Sequence, residues 1–507
     1  MILYLLVILT VLWTVFFKLK RRQMYKLAAL IPGPKKELPI LGIAHTFLGD
    51  AEGTMSSLQY YSYVSMQHGI IRAWLGHILY FIVVDPVDIE RALKTFMEKD
   101  DLHRFIRKVI GNGGIFAPVS IWRRRRKILT PAFSPKIVEK FVAVFSEQSE
   151  KMSEKLAECA NGKEFSVWSH LSSYTLDAVC ETVMGVKMDA QGKSVSPFLM
   201  SMNTLMNVIC ERIFHLWLQP DCIFKLFPQY KVQKDGIGVL HSFTDDVICK
   251  KREELKIEKQ SQPEVDKQLD LQDYKTRSFL DMLISLSGGE RGYNNVELRE
   301  EVLTLTVAGT DTSAVAIGNT LKILGKYPKV QEKLYAELIE VFGETKRPLV
   351  KEDYAKLKYL DRVVKETLRL FPPVPFIIRK VLKDSKLPSG YVLPAGSGVV
   401  VSIWGAHRDP KYWGPDAENF DPDRFLPERF NLANSCSFMP FSNGPRNCLG
   451  YQYALMSVKA AVSAIIKNYK VVGLEETSPA PKMRMKLEIM MKAVDGYRIA
   501  LEKRSSL

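Results

Sequence analysis

The 507-residue sequence predicts a mainly α fold with small β-sheets (α+β), and three observations carry that expectation. Apolar residues recur at three- and four-residue spacing over Val138 to Leu156, Leu298 to Lys326 and Val330 to Val341, as in helices with one buried face. The stretch "IIRAWLGHILYFIVV", Ile70 to Val84, is rich in β-branched and aromatic residues and is interrupted at Gly76, the pattern of a hairpin. A second pair of short strands is expected in "GYVLPAGSGVVVSI", Gly390 to Ile403.

Length alone allows about three domains. The chain has no internal repeat and no long Gly/Ser- or Pro-rich linker, so one large domain is equally compatible. Hydrophobic residues make up 47% and charged residues 25%, enough apolar material for a core and too much for a disordered chain. The seven cysteines (Cys159, Cys180, Cys210, Cys222, Cys249, Cys436 and Cys448) are scattered without CxxC spacing. That excludes a zinc ribbon and a dense disulfide framework, and points to a reducing compartment. Lys and Arg exceed Asp and Glu by 15, which favours anionic partners or surfaces. No zinc-finger, helix-turn-helix or RNP-type pattern accompanies the basic run Arg123 to Lys127, so no nucleic-acid partner is expected.

From the N-terminus, "MILYLLVILTVLWTVFF" carries no charge and "KLKRR" follows it. Residues 1–18 therefore read as a single transmembrane anchor, with a cleavable signal peptide as the competing reading. Positive charge after the apolar run keeps the remainder cytosolic. Residues 19–42 read as a basic and Pro-rich linker, because the prolines of "IPGPKKELPILG" cannot continue a helix. The globular part is then 43–507. In "WRRRRK", Trp122 and Arg126 share a helical face while Arg123, Arg124 and Lys127 point elsewhere. Met202 to Phe227 is apolar and aromatic enough for a core helix, a pocket wall or a segment dipping into a membrane surface. Lys250 to Thr276 is polar and charge-dense, as in a solvated connection.

Within the Leu298 to Lys326 helix, "LTVAGTDTS" interrupts a buried pattern with Gly309, several hydroxyls and Asp311. Gly309 costs about 1 kcal/mol relative to Ala in a helix. Thr310, Thr312 and Ser313 can bond back to carbonyls of the preceding turn. This is either a kink or a groove fitted for proton delivery, with Asp311 and Thr312 as the acid and the hydroxyl. Glu366 and Arg369, three apart, can pair on one helical face, and Arg424 of "FDPDRF" is a second cation within reach of a carboxylate. In "FSNGPRNCLG", Phe441 to Gly450, Cys448 is either an inert thiol in a tight turn or a metal-binding thiolate favoured by Arg446 and by backbone N–H groups.

Taken in order, Trp122xxxArg126, AGTDTS, ExxR, FDPDRF and FxxGxRxCxG resemble those of a membrane-anchored, microsomal cytochrome P450 along essentially the whole chain. The segments "WRRRRKILTPAF" and "FMPFSNGPRNCLG" are most similar to the family-4 group and its relatives. The resemblance implies the cytochrome P450 fold, haem b as cofactor, and Cys448 as the axial thiolate of its iron. It implies that Phe441 packs beside the sulfur and that Trp122, Arg126, Arg379 and Arg446 hold the propionates. Asp311 and Thr312 would relay protons, and Glu366, Arg369 and Arg424 would form a buried structural network. The implied activity is that of a monooxygenase acting on a fatty acid, terpenoid, hydrocarbon or xenobiotic. Electrons would come from NADPH through a separate NADPH-cytochrome P450 reductase, with cytochrome b5 as a second candidate donor, because the chain lacks a GxGxxG of its own. The lipid bilayer is the third implied partner, at the endoplasmic reticulum membrane. One departure stands out: many family-4 enzymes carry Glu before the Gly of this motif and can esterify it to haem, whereas this chain has Ala308, so no ester link is expected. A haem-thiolate isomerase or dehydratase, or a non-catalytic haem or lipid binder, are the alternatives.

Overall fold

The computed structural model describes residues 4, 8, 12, 15–192, 196–261, 278–285, 293–343, 347–430, 434–473 and 478–504. Helix α1 (Ala51–Met66) leads into strands β1 (Ile70–Leu75) and β2 (Ile78–Val83), then α2 (Pro86–Thr95), α3 (His103–Ile110) and α4 (Val119–Leu129). Next come α5 (Val142–Leu156), α6 (Trp168–Val179), α7 (Pro197–Phe214), α8 (Pro228–Ser261), α9 (Asn295–Lys326) and α10 (Lys358–Leu370). Strands β3 (Phe376–Lys380) and β4 (Gly398–Ser402), helix α11 (Tyr451–Asn468) and the hairpin β5 (Met485–Glu488) and β6 (Met490–Ala493) complete the elements that shape the site. The architecture is mainly helical with small sheets, as the periodicity predicts.

Helix α9 is the axis of the molecule. Asn294 starts it through a capping box: its Oδ1 accepts the Glu297 N–H at 2.9 Å, and the Glu297 carboxylate accepts the Asn294 N–H at 3.1 Å. The helix therefore begins three residues before the apolar periodicity does. It ends at Lys326, ahead of Pro328, which opens the next helix. Leu298, Val302, Ala314, Ile317, Leu321 and Leu324 are completely buried against α6, α8, α10 and α11. Gly309 is required by this packing, since a Cβ placed on it would lie 2.7 Å from Val179 Cγ2 on α6.

The expected hairpin at Ile70 to Val84 is β1–β2, turning through Gly76 at φ +60°. Strand β2 then pairs in parallel with β4 (Tyr80 opposite Gly398, Val83 opposite Val401), and β4 pairs antiparallel with β3, so the sheet order is β1-β2-β4-β3.

Two expectations change. The basic stretch after the apolar N-terminus contains a helix, Arg22–Ala29, whose Met24 and Ala28 are buried in the apolar cluster of the sheet with Leu393 and Val399. Part of the expected linker is thus docked rather than free. The polar stretch from Lys250 onward is helical as far as Ser261, where α8 ends, and 262–277 lie outside the described residues. Among the described residues no helix is long and apolar enough to cross a membrane, and most of the anchor expected over 1–18 lies outside them.

Candidate active site

A cavity of about 450 Å³ lies between α9 and the loop that carries Cys448. The segment expected as a possible wall, Met202 to Phe227, contributes Met206 and Ile213, and Ile106, Ile110, Leu305, Val307 to Gly309, and Val374 to Ile378 join it. Strand residues Ala73, Tyr80 and Ile82, and Leu487, Ile489 and Met490 of the β5–β6 hairpin, also line it. These last contributors come from opposite ends of the chain and have no local signature.

Cys448 lies two residues before Gly450, the N-cap of α11. Its backbone N–H donates to the Phe441 carbonyl at 2.9 Å, closing the loop back on itself. Gly444 takes φ +74° there, and its missing Cβ leaves room for the Leu93 carbonyl, which would be 3.0 Å away. The thiol is open to the cavity and enclosed by protein elsewhere. Burial pushes its pKa up, and the Gly450 N–H and the Arg126 charge oppose that shift. Arg126 is fixed by Asn447, donating to its carbonyl oxygen at 2.8 Å and to its Oδ1 at 2.7 Å. Cys436, the other cysteine near this loop, is buried in a different cluster and does not line the cavity.

Cations converge on one edge of the cavity. Arg379 is carried in by β3, and Arg446 stacks over Trp122 at 4.5 Å while donating to the Ala117 carbonyl at 2.8 Å. Among the described residues no carboxylate lies within ion-pair distance of Arg126, Arg379 or Arg446, and the Arg446 Nε has no hydrogen-bond partner. Burial lowers the Arg379 and Arg446 guanidinium pKa values to about 10, and mutual repulsion adds to the shift at Arg379. Lys99 and His103, which the sequence reading missed, join this edge. Burial lowers both pKa values well below the usual range, and the neighbouring cations push further in the same direction. No motif surrounds either residue, and only the fold brings them beside Arg379. Three arginines and a lysine around an apolar slot, none of them in an ion pair with a carboxylate among the described residues, fit a flat apolar group bearing carboxylates at one edge. A thiol at a helix N-terminus beside the same slot fits a soft metal ligand.

On the opposite wall, Thr312 lines the cavity and its Oγ1 donates to the Ala308 carbonyl at 2.7 Å. Ala308 and Gly309 line the cavity beside it. Asp311 is placed differently from what the sequence reading implied. It is 1% exposed, does not line the cavity, and lies 2.9 Å from Lys492 Nζ on β6. Burial raises its pKa, and Lys492 acts against that. Lys492 in turn donates to Asn203 Oδ1 at 3.1 Å and stands over the Trp168 ring at 4.7 Å.

The ExxR pair is completely buried. Arg369 donates to both Glu366 oxygens at 2.7 and 2.8 Å, and its remaining N–H groups reach the carbonyls of His407, Ala417 and Asn419. Arg424 Nε stands 3.6 Å from Glu366, but its close partner is Asp416 at 2.8 Å. The basic run also divides: Arg123, Arg124 and Lys127 are exposed, whereas Arg125 is 1% exposed and ion-paired to Glu297, Glu300 and Glu301 of α9.

This fold and cavity define a haem-thiolate protein, and the profile of the family described as Cytochrome P450 matches residues 32–498. The chain belongs to that family, whose members hold haem through a cysteine thiolate and act as monooxygenases. Within it the similarity is to family 4. Cytochrome P450 4c3 of Drosophila melanogaster is 32% identical over 97% of this chain and 92% of that protein. Cytochrome P450 4V2 of Mus musculus is 32% identical over 94% and 90%, and Cytochrome P450 4d1 of Drosophila melanogaster 32% over 94% and 94%.

Proposed function

We propose that this monooxygenase uses Cys448 as the axial ligand and oxidises a lipophilic substrate with electrons from NADPH, delivered by a separate NADPH-cytochrome P450 reductase. The observation that carries the residue assignment is the unmatched cation edge beside the Cys448 thiol. Trp122, Arg126, Arg379 and Arg446, joined by Lys99 and His103, would hold the two propionates, and Phe441 would pack beside the sulfur. Haem, when bound, supplies the redox chemistry that puts one oxygen atom of O2 into the substrate and releases the other as water. The chain's own groups do the rest. The Gly450 N–H and Arg126 hold the thiolate, the apolar walls exclude water and position the substrate, and the Thr312 hydroxyl passes a proton towards the cavity.

Asp311 would supply that proton by exchanging its contact with Lys492 for solvent or for Thr312, since it does not face the cavity directly. Ala308 supports a cofactor held without an ester bond. The predominantly apolar lining supports a fatty acid, terpenoid, hydrocarbon or xenobiotic over a polar metabolite. Thr312, facing the cavity, favours oxygen chemistry over the isomerase and dehydratase alternatives.

Exposed Arg123, Arg124 and Lys127 offer a basic surface to the acidic face of the reductase, and to cytochrome b5 as a second donor. Bilayer attachment is supported by one side of the molecule. Ile40, Leu226 and Trp217 are exposed there, the β1–β2 turn touches Leu216, and Arg21 reaches the His77 carbonyl at 2.6 Å. Together with the apolar residues 1–18, this supports a location at the endoplasmic reticulum membrane with the catalytic domain in the cytosol. The test is turnover in reconstituted membranes with reductase, NADPH, heavy-isotope O2 and a panel of fatty acids, terpenoids and lipophilic toxins. A product carrying one labelled atom is expected. Unlabelled isomerised or dehydrated product would move the assignment to the isomerase or dehydratase reading.

A further inference from the structure

Besides Thr312 and Ser313, helix α9 brings two polar residues, Glu301 and Thr304, to the cavity wall formed with Gly114, Ile115 and Phe116. Thr310, which does not line the cavity, has no hydrogen-bond partner, but Thr306, Thr312 and Thr320 bond back onto their own helix, to Val302 at 2.8 Å, Ala308 at 2.7 Å and Ala316 at 2.8 Å. Thr304 does not. Its Oγ1 has no hydrogen-bond partner although the residue is 1% exposed, and the hydroxyl is directed towards Gly113, where a Cβ would lie closer to it than any packing allows. One turn earlier is Glu301, completely buried. One carboxylate oxygen accepts the Gly114 N–H at 3.0 Å, and the other stands 3.2 Å from Arg125 without forming a hydrogen bond. Both side chains line the cavity beside Ile106, Ile110 and Leu305. A buried hydroxyl without a partner is unfavourable unless a ligand supplies one.

We propose that Glu301 and Thr304 form a polar subsite that receives a hydroxyl group on an otherwise apolar substrate. The inference rests on the assignment of this cavity as the substrate site. Three carboxylates, Glu297, Glu300 and Glu301, surround the single buried Arg125, so the local balance is negative and disfavours a free carboxylate. A hydroxyl meets no such penalty. It can accept from Thr304 or from a protonated Glu301 and donate to the ionised form, and burial has pushed the Glu301 carboxyl up to about 7, so both forms are accessible near neutral pH.

The experiment titrates the full-length holoenzyme in detergent with dodecane, 1-dodecanol and dodecanoate, reading binding both by the Soret shift and by calorimetry. 1-Dodecanol is expected to bind about tenfold more tightly than dodecane, the worth of one net hydrogen bond, and dodecanoate more weakly than the alcohol. Thr304→Val, which removes a hydroxyl that no protein group uses, should abolish most of the alcohol preference, read as the ratio of alcohol to dodecane affinity. Glu301→Gln should act in the same direction, but it also unbalances Arg125, so the decisive variant is Thr304→Val. Equal affinity for alcohol and alkane in the wild type overturns the proposal. So does a preference that survives Thr304→Val, which would leave the pair as a clamp on residues 113–116. A missing thiolate spectrum would count against the haem assignment, whereas a normal spectrum with a flat ligand panel would count against this subsite alone.

Discussion

Replacing Gly309 by alanine tests the packing of α9 on α6. The ideal Cβ would stand 2.7 Å from Val179 Cγ2 and 3.8 Å from its Cγ1, and carbon atoms are in favourable contact only at about 3.5–4.0 Å. One contact is therefore too short by about 1 Å. Val179 cannot rotate away easily, because a β-branched side chain in a helix has one strongly preferred rotamer and this one is 1% exposed. Relief has to come from separating two helices, and overpacking of this kind costs about 1–3 kcal/mol. Alanine simultaneously recovers about 1 kcal/mol of helix propensity. The net expectation for Gly309→Ala is a loss of about 1 kcal/mol. In a Val179→Ala background the overlap disappears, and the same substitution should stabilise by up to about 1 kcal/mol. Denaturant midpoints for the four proteins, read where the m-values agree, measure the cycle. An equal loss from Gly309→Ala in both backgrounds would refute the account, because the glycine would then be needed for something other than its distance from Val179.

Four other outcomes are expected. Cys448→Ala should abolish the thiolate spectrum of the ferrous carbon monoxide complex; its retention would mean that another residue ligates the iron. Thr312→Ala should keep haem and substrate binding but uncouple NADPH consumption from product, as measured by peroxide release. Glu366→Gln leaves Arg369 charged and underpaired in a dry site, so a loss of about 3–5 kcal/mol is expected, partly recovered by adding Arg369→Met. His407 is buried and neutral, accepting the Met439 N–H at Nε2, and burial lowers its pKa from 6.5 to about 3. Below about pH 6.5 the unfolded chain takes up the proton first, so this residue removes about 1.4 kcal/mol of stability per pH unit down to about pH 3. His407→Gln should flatten the acid limb of the stability profile by that amount.

The parts of the site that were legible in the sequence are those whose geometry is local. Trp122 and Arg126 face one way because a helix repeats every 3.6 residues, and Cys448 was singled out by the Gly and Arg residues around it. The start of α9 was equally local, in the Asn294 to Glu297 capping box, but lay outside the apolar pattern. Lys99, His103 and the buried state of Arg125 were not legible, because each depends on a surface that meets it only after folding. The Asp311 contact belongs to the same class: helical spacing gives the direction of its side chain but not the lysine that approaches from β6, 181 residues further along.

The parallel pairing of β2 with β4 makes assembly of this protein strongly order-dependent. Tyr80 and Gly398 are 318 residues apart, so at a synthesis rate of about 5–20 residues per second the β1–β2 hairpin waits about 16–64 s before its neighbour exists. Throughout that interval the free edge of β2 displays unpaired backbone N–H and C=O groups, and one of its faces exposes Leu79, Phe81 and Val83, side chains that end completely buried. A nascent chain in this state depends on a chaperone or on an adjacent lipid surface to keep that edge from pairing with another chain. Truncations ending before residue 398 should accordingly aggregate, however well their helices form.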